Sequence, residues 1–290
     1  MAQVRVATIC MTSGSVLEKN LKKAYKYIEH AAKENADWIL LPEIFAYNGP
    51  YAKLADVSRL ESERVLEAVQ GWAQKFNVVI FAGTLGEPPE DSKSAGEVLG
   101  RKGYSRVYNT MWVVGRDGGI LAKYRKTHLF NLVDSCGEVL YSEADGFLPG
   151  DSGAVLNIEG FSIGLAVCYD LRFSEYFHLL QKMALCDVFM VPAAFTKRTG
   201  KAHWELLLRA RAVEFQAYVV AANQVGVSSP GKETFGHSML VDPWGDVVVN
   251  TKAQEGIAIG DVCSEKIKEI RDQLPVLKNR RPKLYNDSGL

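Results

Sequence analysis

The chain has 290 residues, 47% hydrophobic and 23% charged, and its 34 basic and 34 acidic side chains balance to a formal net charge of +0. Those proportions fit a globular protein long enough to bury a sizeable core, and they lack the basic excess that a nucleic-acid or anionic-membrane partner demands. Residues 1–10 are expected to be a first strand and not a signal peptide, no apolar run reaches bilayer-spanning length, and five scattered cysteines (Cys10, Cys136, Cys168, Cys186, Cys263) contain no CxxC pair, so free thiols and a cytoplasmic location are expected.

From the N-terminus, residues 4–10 read as a first strand. Leu17, Leu21, Ala24, Ile28 and Ala31 then recur at three- and four-residue spacing, one face of a helix, with Ser15 and Glu18 placed as a capping box. A strand over 38–41 precedes a second helix, marked by Val65, Val69, Trp72 and Phe76 and opened by Ser58 and Glu61. Strands over 78–83 and 110–114 flank a polar, glycine-rich segment, 86–106. A second long polar segment, 129–153, leads to a strand over 164–167 and a helix beginning near Ser174. A strand over 188–191, a helix through Trp204, Leu207, Leu208, Arg211, Ala212 and Phe215, and strands over 218–222 and 238–241 follow. Strands alternating with amphipathic helices predict an α/β protein with helix-covered sheet faces. With no Pro/Gly/Ser linker, residues 1–290 are expected to form a single domain, and the two long loops to wall a pocket.

Three strand-like runs end in polar groups suited to one reaction: 39–43 ends in Glu43, 120–128 carries Lys126, and 164–168 runs into Cys168. A thiol at the end of a buried strand is held rigidly at the rim of a sheet. Glu43 as general base takes its proton, and Cys168 attacks an amide carbon. Lys126 and the Tyr169 backbone N–H supply fixed positive charge for the oxyanion. Glu43 returns its proton to departing ammonia and then activates water against the thioester, with no metal or organic cofactor. A base that must be ionised in the free enzyme predicts an acid limb in the activity profile. Each residue alone also has an ordinary structural explanation: a small core hydrophobe, a helix-start carboxylate, a solvated charge. Their joint contexts favour chemistry.

The chain resembles the nitrilase superfamily of carbon–nitrogen hydrolases over essentially its whole length. The resemblance rests on Leu41-Pro42-Glu43, on 123–130 (Lys-Tyr-Arg-Lys-Thr-His-Leu-Phe) and on 164–173 around Cys168. It continues in His203-Trp204-Glu205, Arg209-Ala210-Arg211-Ala212, 218–223, Gly236-His237-Ser238 and Asp242-Pro243-Trp244-Gly245, and ends in 274–276 and 280–285. It implies a Glu43–Lys126–Cys168 triad, a four-layer αββα sandwich and pairing into homodimers. It also places a second glutamate on Glu143, holding the lysine and positioning substrate, although Glu138 is close by. Tyr169-Asp170 after the cysteine is the pattern of amidases, where nitrile-cleaving members have Trp-Glu. The nearest branch contains omega-amidase and deaminated-glutathione amidase, so the substrate expected is a small linear, carboxylate-bearing amide.

Arg172, four residues past Cys168, suits bidentate carboxylate binding, as in related carbamoylases; an ion pair with Asp170 or Glu175 is the structural alternative. Tyr47, Tyr169 and Phe195 are candidate substrate-binding residues. His128, His203 and His237 lack metal-ligand spacing and are expected to hydrogen-bond structurally. Residues 91–105 form a longer segment than the resemblance leads one to expect. Two alternatives stay open: an N-carbamoyl amino acid hydrolase, which would release carbon dioxide as well as ammonia, and a catalytically idle scaffold. Absence of GxGxxG, Walker-type, GxSxG and HExxH motifs argues against nucleotide-binding, serine-hydrolase and zinc-protease readings.

Overall fold

The computed structural model describes residues 2–90, 99–228, 233–281 and 284; residues 91–98 of the long segment, and Pro282, Lys283 and Tyr285 of the C-terminal motif, lie outside them. The first half alternates strand and helix through β1 (Gln3–Cys10), α1 (Leu17–Lys33), β2 (Trp38–Leu40), α2 (Tyr51–Phe76) and β3 (Val79–Phe81). Then come β4 (Leu85–Glu87), β5 (Val107–Val114), β6 (Ile120–Arg125), β7 (Asn131–Val133), β8 (Val139–Ser142) and β9 (Phe147–Leu148). The second half runs β10 (Ala154–Ile158), β11 (Phe161–Leu165), a 3-10 segment (Cys168–Arg172), α3 (Ser174–Met183), β12 (Val188–Ala193), α4 (Lys197–Phe215) and β13 (Tyr218–Asn223). It closes with β14 (Val225–Val227), β15 (Glu233–Phe235), β16 (Met239–Val241), β17 (Val247–Asn250), β18 (Gly256–Cys263) and α5 (Ser264–Gln273).

These strands form two main sheets. One is ordered β18-β1-β2-β3-β5-β4, with β6 and β9 also paired to β5; the other is β10-β11-β12-β13-β16-β17. In each, three central strands are parallel (β1-β2-β3 and β11-β12-β13) and the flanking pairings are antiparallel. The side-chain period of two explains the layering. Val4, Val6, Trp38, Leu40, Val79 and Phe81 share a core with Ile163, Leu165, Val188 and Met190 of the opposite sheet. Ala7, Ile9, Ile39, Leu41 and Ile80 turn the other way, onto Leu21, Ala24 and Ile28 of α1 and Val65 and Val69 of α2. Phe177 and Leu180 of α3 and Trp204, Leu208, Ala212 and Phe215 of α4 cover the second sheet. The result is the αββα sandwich expected. Trp38 packs edge-on against Phe161 across the sheet interface, with ring centroids 5.6 Å apart, and Thr8 Oγ1 donates across it to Ala221 O at 2.7 Å. No helix among the described residues is long and apolar enough to cross a membrane.

Three local expectations are corrected. No side chain caps α1, which starts after Val16; Glu18 reaches Arg64 instead. The turn before α1 is secured by Asn20, whose Oδ1 accepts from Gly14 N and whose Nδ2 donates to the carbonyls of Gly14 and Ala46. Helix α2 begins at Tyr51, directly after Pro50, two turns before Ser58 and Glu61, because Leu54 and Ala55 pack on a satellite core with Val107 and Phe147. The 129–153 segment is ordered: β7 and β8 form a two-stranded ribbon, and a 3-10 turn (Glu143–Asp145) follows.

Candidate active site

Strand β11 is followed by Ala166 and Val167, both fully buried, and then by Cys168 at φ +48°, in the left-handed region that a residue with a Cβ seldom adopts. Such strain persists only where surroundings enforce it. Here they do. Asp170, fully buried, accepts from Val167 N (2.8 Å), the Tyr124 hydroxyl (2.7 Å), Thr127 Oγ1 (3.1 Å) and His128 N (3.1 Å). His128 Nδ1 lies 2.7 Å from the same carboxylate, which only accepts, so the ring nitrogen is the donor. The His128 ring stacks on Phe173 at 3.9 Å. From α4, Arg211 donates to Leu171 O at 3.0 Å. The cysteine turn is thereby tied to the end of β6, where Lys126 sits.

Lys126 is fully buried. Its Nζ lies 2.9 Å from Glu43 Oε1, and 2.9 and 2.7 Å from the two carboxylate oxygens of Glu143. Burial works against its charge, yet the carboxylates of Glu143 and Glu43 outweigh burial and hold its pKa well above the ordinary lysine value. Two carboxylates sharing one ammonium strain each other: burial, reinforced by the charge of Glu43, holds the Glu143 carboxyl above its usual range against the pull of Lys126. Glu143 also accepts from Phe130 N at 2.7 Å. Its rival, Glu138, is exposed at the ribbon's tip.

Glu43 lies three residues beyond β2. Ile44 beyond it takes φ +51°, and Gly83, at φ +43°, lets the end of β3 press so close that a Cβ there would lie 2.0 Å from Pro42 O. Glu43 Oε1 accepts from Asn109 Nδ2 (2.8 Å) and Oε2 from Ala194 N (2.8 Å). Gln224 holds its backbone, donating to Glu43 O at 2.9 Å. Burial pushes the Cys168 thiol well above its ordinary pKa, helped by Glu43 and Glu143; Lys126 and a hydrogen bond from Ala194 N–H pull the other way. A buried neutral thiol flanked by a carboxylate can act as a nucleophile only by losing its proton in the reacting step itself.

The four groups come from both sheets and meet at one rim. Glu43, Glu143 and Cys168 line a cavity of about 590 Å³, within the usual size of small-molecule sites. Tyr47, Tyr169, Arg172 and Phe195 line it too. Arg172 is half-buried, its guanidinium 5.2 Å from the Phe195 ring and 5.8 Å from Tyr169, with His203 Nδ1 at 3.4 Å. Asp170 is committed elsewhere, and among the described residues Arg172 forms no ion pair with Asp170 or Glu175. His237 stacks on Phe235 at 4.2 Å and its carbonyl accepts from Trp204 Nε1, a structural role. Cys10, Cys136, Cys186 and Cys263 are free and do not line the cavity. Among the described residues no cluster of three or more His, Cys, Asp or Glu is arranged to hold a metal ion. Asn109, Gln224 and the Ala194 N–H escaped the sequence reading. Asn109 carries a signal, a carboxamide in the mainly apolar run 107–114, but it falls in the three residues of β5 that precede the expected strand over 110–114.

Comparison with known proteins places this geometry. The family model described as carbon-nitrogen hydrolase matches residues 5–272. The chain is 35% identical to omega-amidase NIT2 of Mus musculus over 98% of each chain, and 34% identical to deaminated glutathione amidase of Synechocystis over 94% of this chain and 97% of that one. Its fold matches the C. elegans NitFhit protein with a TM-score of 0.89 at 33% identity, covering 98% of this chain and 66% of that longer one. Saccharomyces cerevisiae Nit3, a member of the nitrilase superfamily, matches at 0.80 and 28% identity over 97% of each chain. A buried thiol, amine and carboxylate pair at a sandwich rim, in a chain matched over nearly its full length, identify a member of the carbon–nitrogen hydrolase family.

Proposed function

We propose that the protein is a cofactor-independent amidase that cleaves a small linear, carboxylate-bearing amide through a thioester on Cys168. The observation that carries this reading is the buried Lys126 ammonium clamped by Glu43 and Glu143, two carboxylates that line one cavity together with Cys168 and Arg172. Glu43 takes the Cys168 proton as sulfur bonds to the carbonyl carbon. The oxyanion is stabilised by Lys126 Nζ and the Tyr169 N–H. The C–N bond breaks as Glu43 gives its proton to the leaving nitrogen. Water, deprotonated by Glu43, then releases the acid and restores the thiol. Glu143 holds Lys126 in place, and Arg172 grips the substrate carboxylate as a fork, with Tyr47, Tyr169 and Phe195 as walls. The names of the relatives favour a 2-oxo acid omega-amide or deaminated glutathione, and the cavity is roomy enough for either. The reading includes a homodimer in the cytoplasm, which five unpaired cysteines suit.

The test is a substrate panel: 2-oxoglutaramate, deaminated glutathione, an N-carbamoyl amino acid and a simple nitrile, followed by release of acid and of ammonia or amine. Turnover of one of the first two, lost by at least 10³-fold in Cys168→Ala with an unchanged circular dichroism spectrum, supports the proposal. Turnover retained in Cys168→Ala overturns it.

A further inference from the structure

We propose that the Asn109 side-chain oxygen accepts a hydrogen bond from the N–H of the scissile amide and so orients the leaving nitrogen. The inference rests on the amidase reading above and extends it to a residue that reading does not use. Asn109 lies on β5, is 1% exposed, and lines the cavity with Glu43 and Cys168. Its Nδ2 donates to Glu43 Oε1 at 2.8 Å. A carboxylate only accepts, so the carboxamide is fixed with its nitrogen toward Glu43 and its oxygen away. That oxygen, Oδ1, is buried, and no group among the described residues donates to it. Its backbone is equally placed: Asn109 O accepts from Lys126 N at 2.9 Å. One residue therefore touches the base through its side chain and the lysine through its main chain, yet keeps an unmet acceptor.

An unmet buried acceptor is unfavourable unless a partner arrives. At the reacting carbon of an amide, the only donor is the amide nitrogen. When the tetrahedral intermediate collapses, the C–N bond breaks, the nitrogen takes the proton held by Glu43, and it leaves as ammonia or amine. For that transfer the nitrogen lone pair must face Glu43. A hydrogen bond from one of its own N–H groups to Asn109 Oδ1, on the far side of the carboxamide from Glu43, sets that orientation. Asn109 is thus a substrate-positioning residue whose effect depends on the substrate bearing an N–H.

This dependence gives a test. A primary amide and the methyl ester of the same acid pass through the same Cys168 thioester, but the ester has no N–H to donate. The quantity to measure is kcat/KM for both, which reports the steps up to the thioester and excludes the shared hydrolysis. In Asn109→Leu and in the smaller Asn109→Ser, the ratio of amide to ester kcat/KM should fall at least tenfold below wild type. Equal losses on both substrates in both variants, or a ratio lowered just as far by Glu43→Asp, which displaces the base and leaves the Asn109 oxygen in place, would mean that Asn109 only positions Glu43, and would overturn the assignment while leaving the amidase reading intact. Wild-type protein inactive on both substrates would overturn the amidase reading and this inference with it. Asn109→Ser, with a hydroxyl in place of the carboxamide, keeps the test open if the leucine variant does not fold.

Discussion

At the residue scale, the decisive device is Asp170. A carboxylate beside a cysteine looks in sequence like a tuning charge or a partner for Arg172. In the fold it is a clasp, accepting from the residue before Cys168 and from three residues at the end of β6. Replacing Asp170 with Asn keeps the shape but sets an amide N–H against groups that all donate. The expected result is a loss of roughly 1–3 kcal/mol in unfolding free energy, measured by urea titration. A kcat reduced by about 10²-fold, with little change in KM, should accompany it, because the thiol shifts relative to Lys126 while the cavity walls remain. Glu43, Lys126 and Cys168 stand out in the sequence because each is a polar or reactive group at the end of a strand-like run, and the fold brings the three into one cluster. The Ala194 N–H was not, since a backbone donor leaves no mark in sequence. The capping box at Ser15 misled for a related reason: motif and helix coincided, but Asn20 took over the turn.

At the element scale, the ends of β4 and β6 are joined by charge. Glu87 bonds Arg125 at 2.7 and 2.9 Å, Lys123 at 2.9 Å and Thr110 at 2.7 Å. Burial pushes its carboxyl up, but the hydrogen bonds from Arg125, Lys123 and Thr110 prevail and hold its pKa down at about 2, against an ordinary 4.5. A folded-state pKa below the unfolded one means stability that is present above pH 4.5 and lost as pH falls toward 2. Allowing for solvent screening at this rim, the contribution is roughly 1–2 kcal/mol. Glu87→Gln should therefore lower stability at pH 7 and flatten its decline between those limits, as followed by urea midpoints across pH; an unchanged slope would remove Glu87 from the acid response. Elements with a full apolar face, such as α1 and β11 to β13, were readable from periodicity. The β7–β8 ribbon was not, because Val133, Val139 and Leu140 are exposed and no alternation of buried and open positions marks it. Helix α2 was read short because its first turns bury only small or mixed residues against a minor core.

At the scale of the whole molecule, the architecture is one pattern used twice: strand, helix, strand, helix, strand, with the three strands parallel, in β1 to β3 and again in β11 to β13. No sequence repeat announces it, since what recurs is the placement of apolar faces. Trp38, fully buried between the sheets against Phe81 and Phe161, holds the two together. Trp38→Ala should cost roughly 3–5 kcal/mol, seen as a lower urea midpoint for fluorescence and circular dichroism alike. A loss under 1 kcal/mol would show that the interface does not depend on this side chain.

The groups at the rim are divided between these halves. Glu43, Lys126 and Glu143 follow strands of the first sheet or its outlying ribbon, whereas Cys168 and Ala194 follow strands of the second. Until both sheets have formed and met, the chain holds a thiol with no carboxylate beside it and a carboxylate with no thiol. On the proposed mechanism a half-made or half-unfolded molecule is chemically silent, and turnover reports on the docking of the two halves.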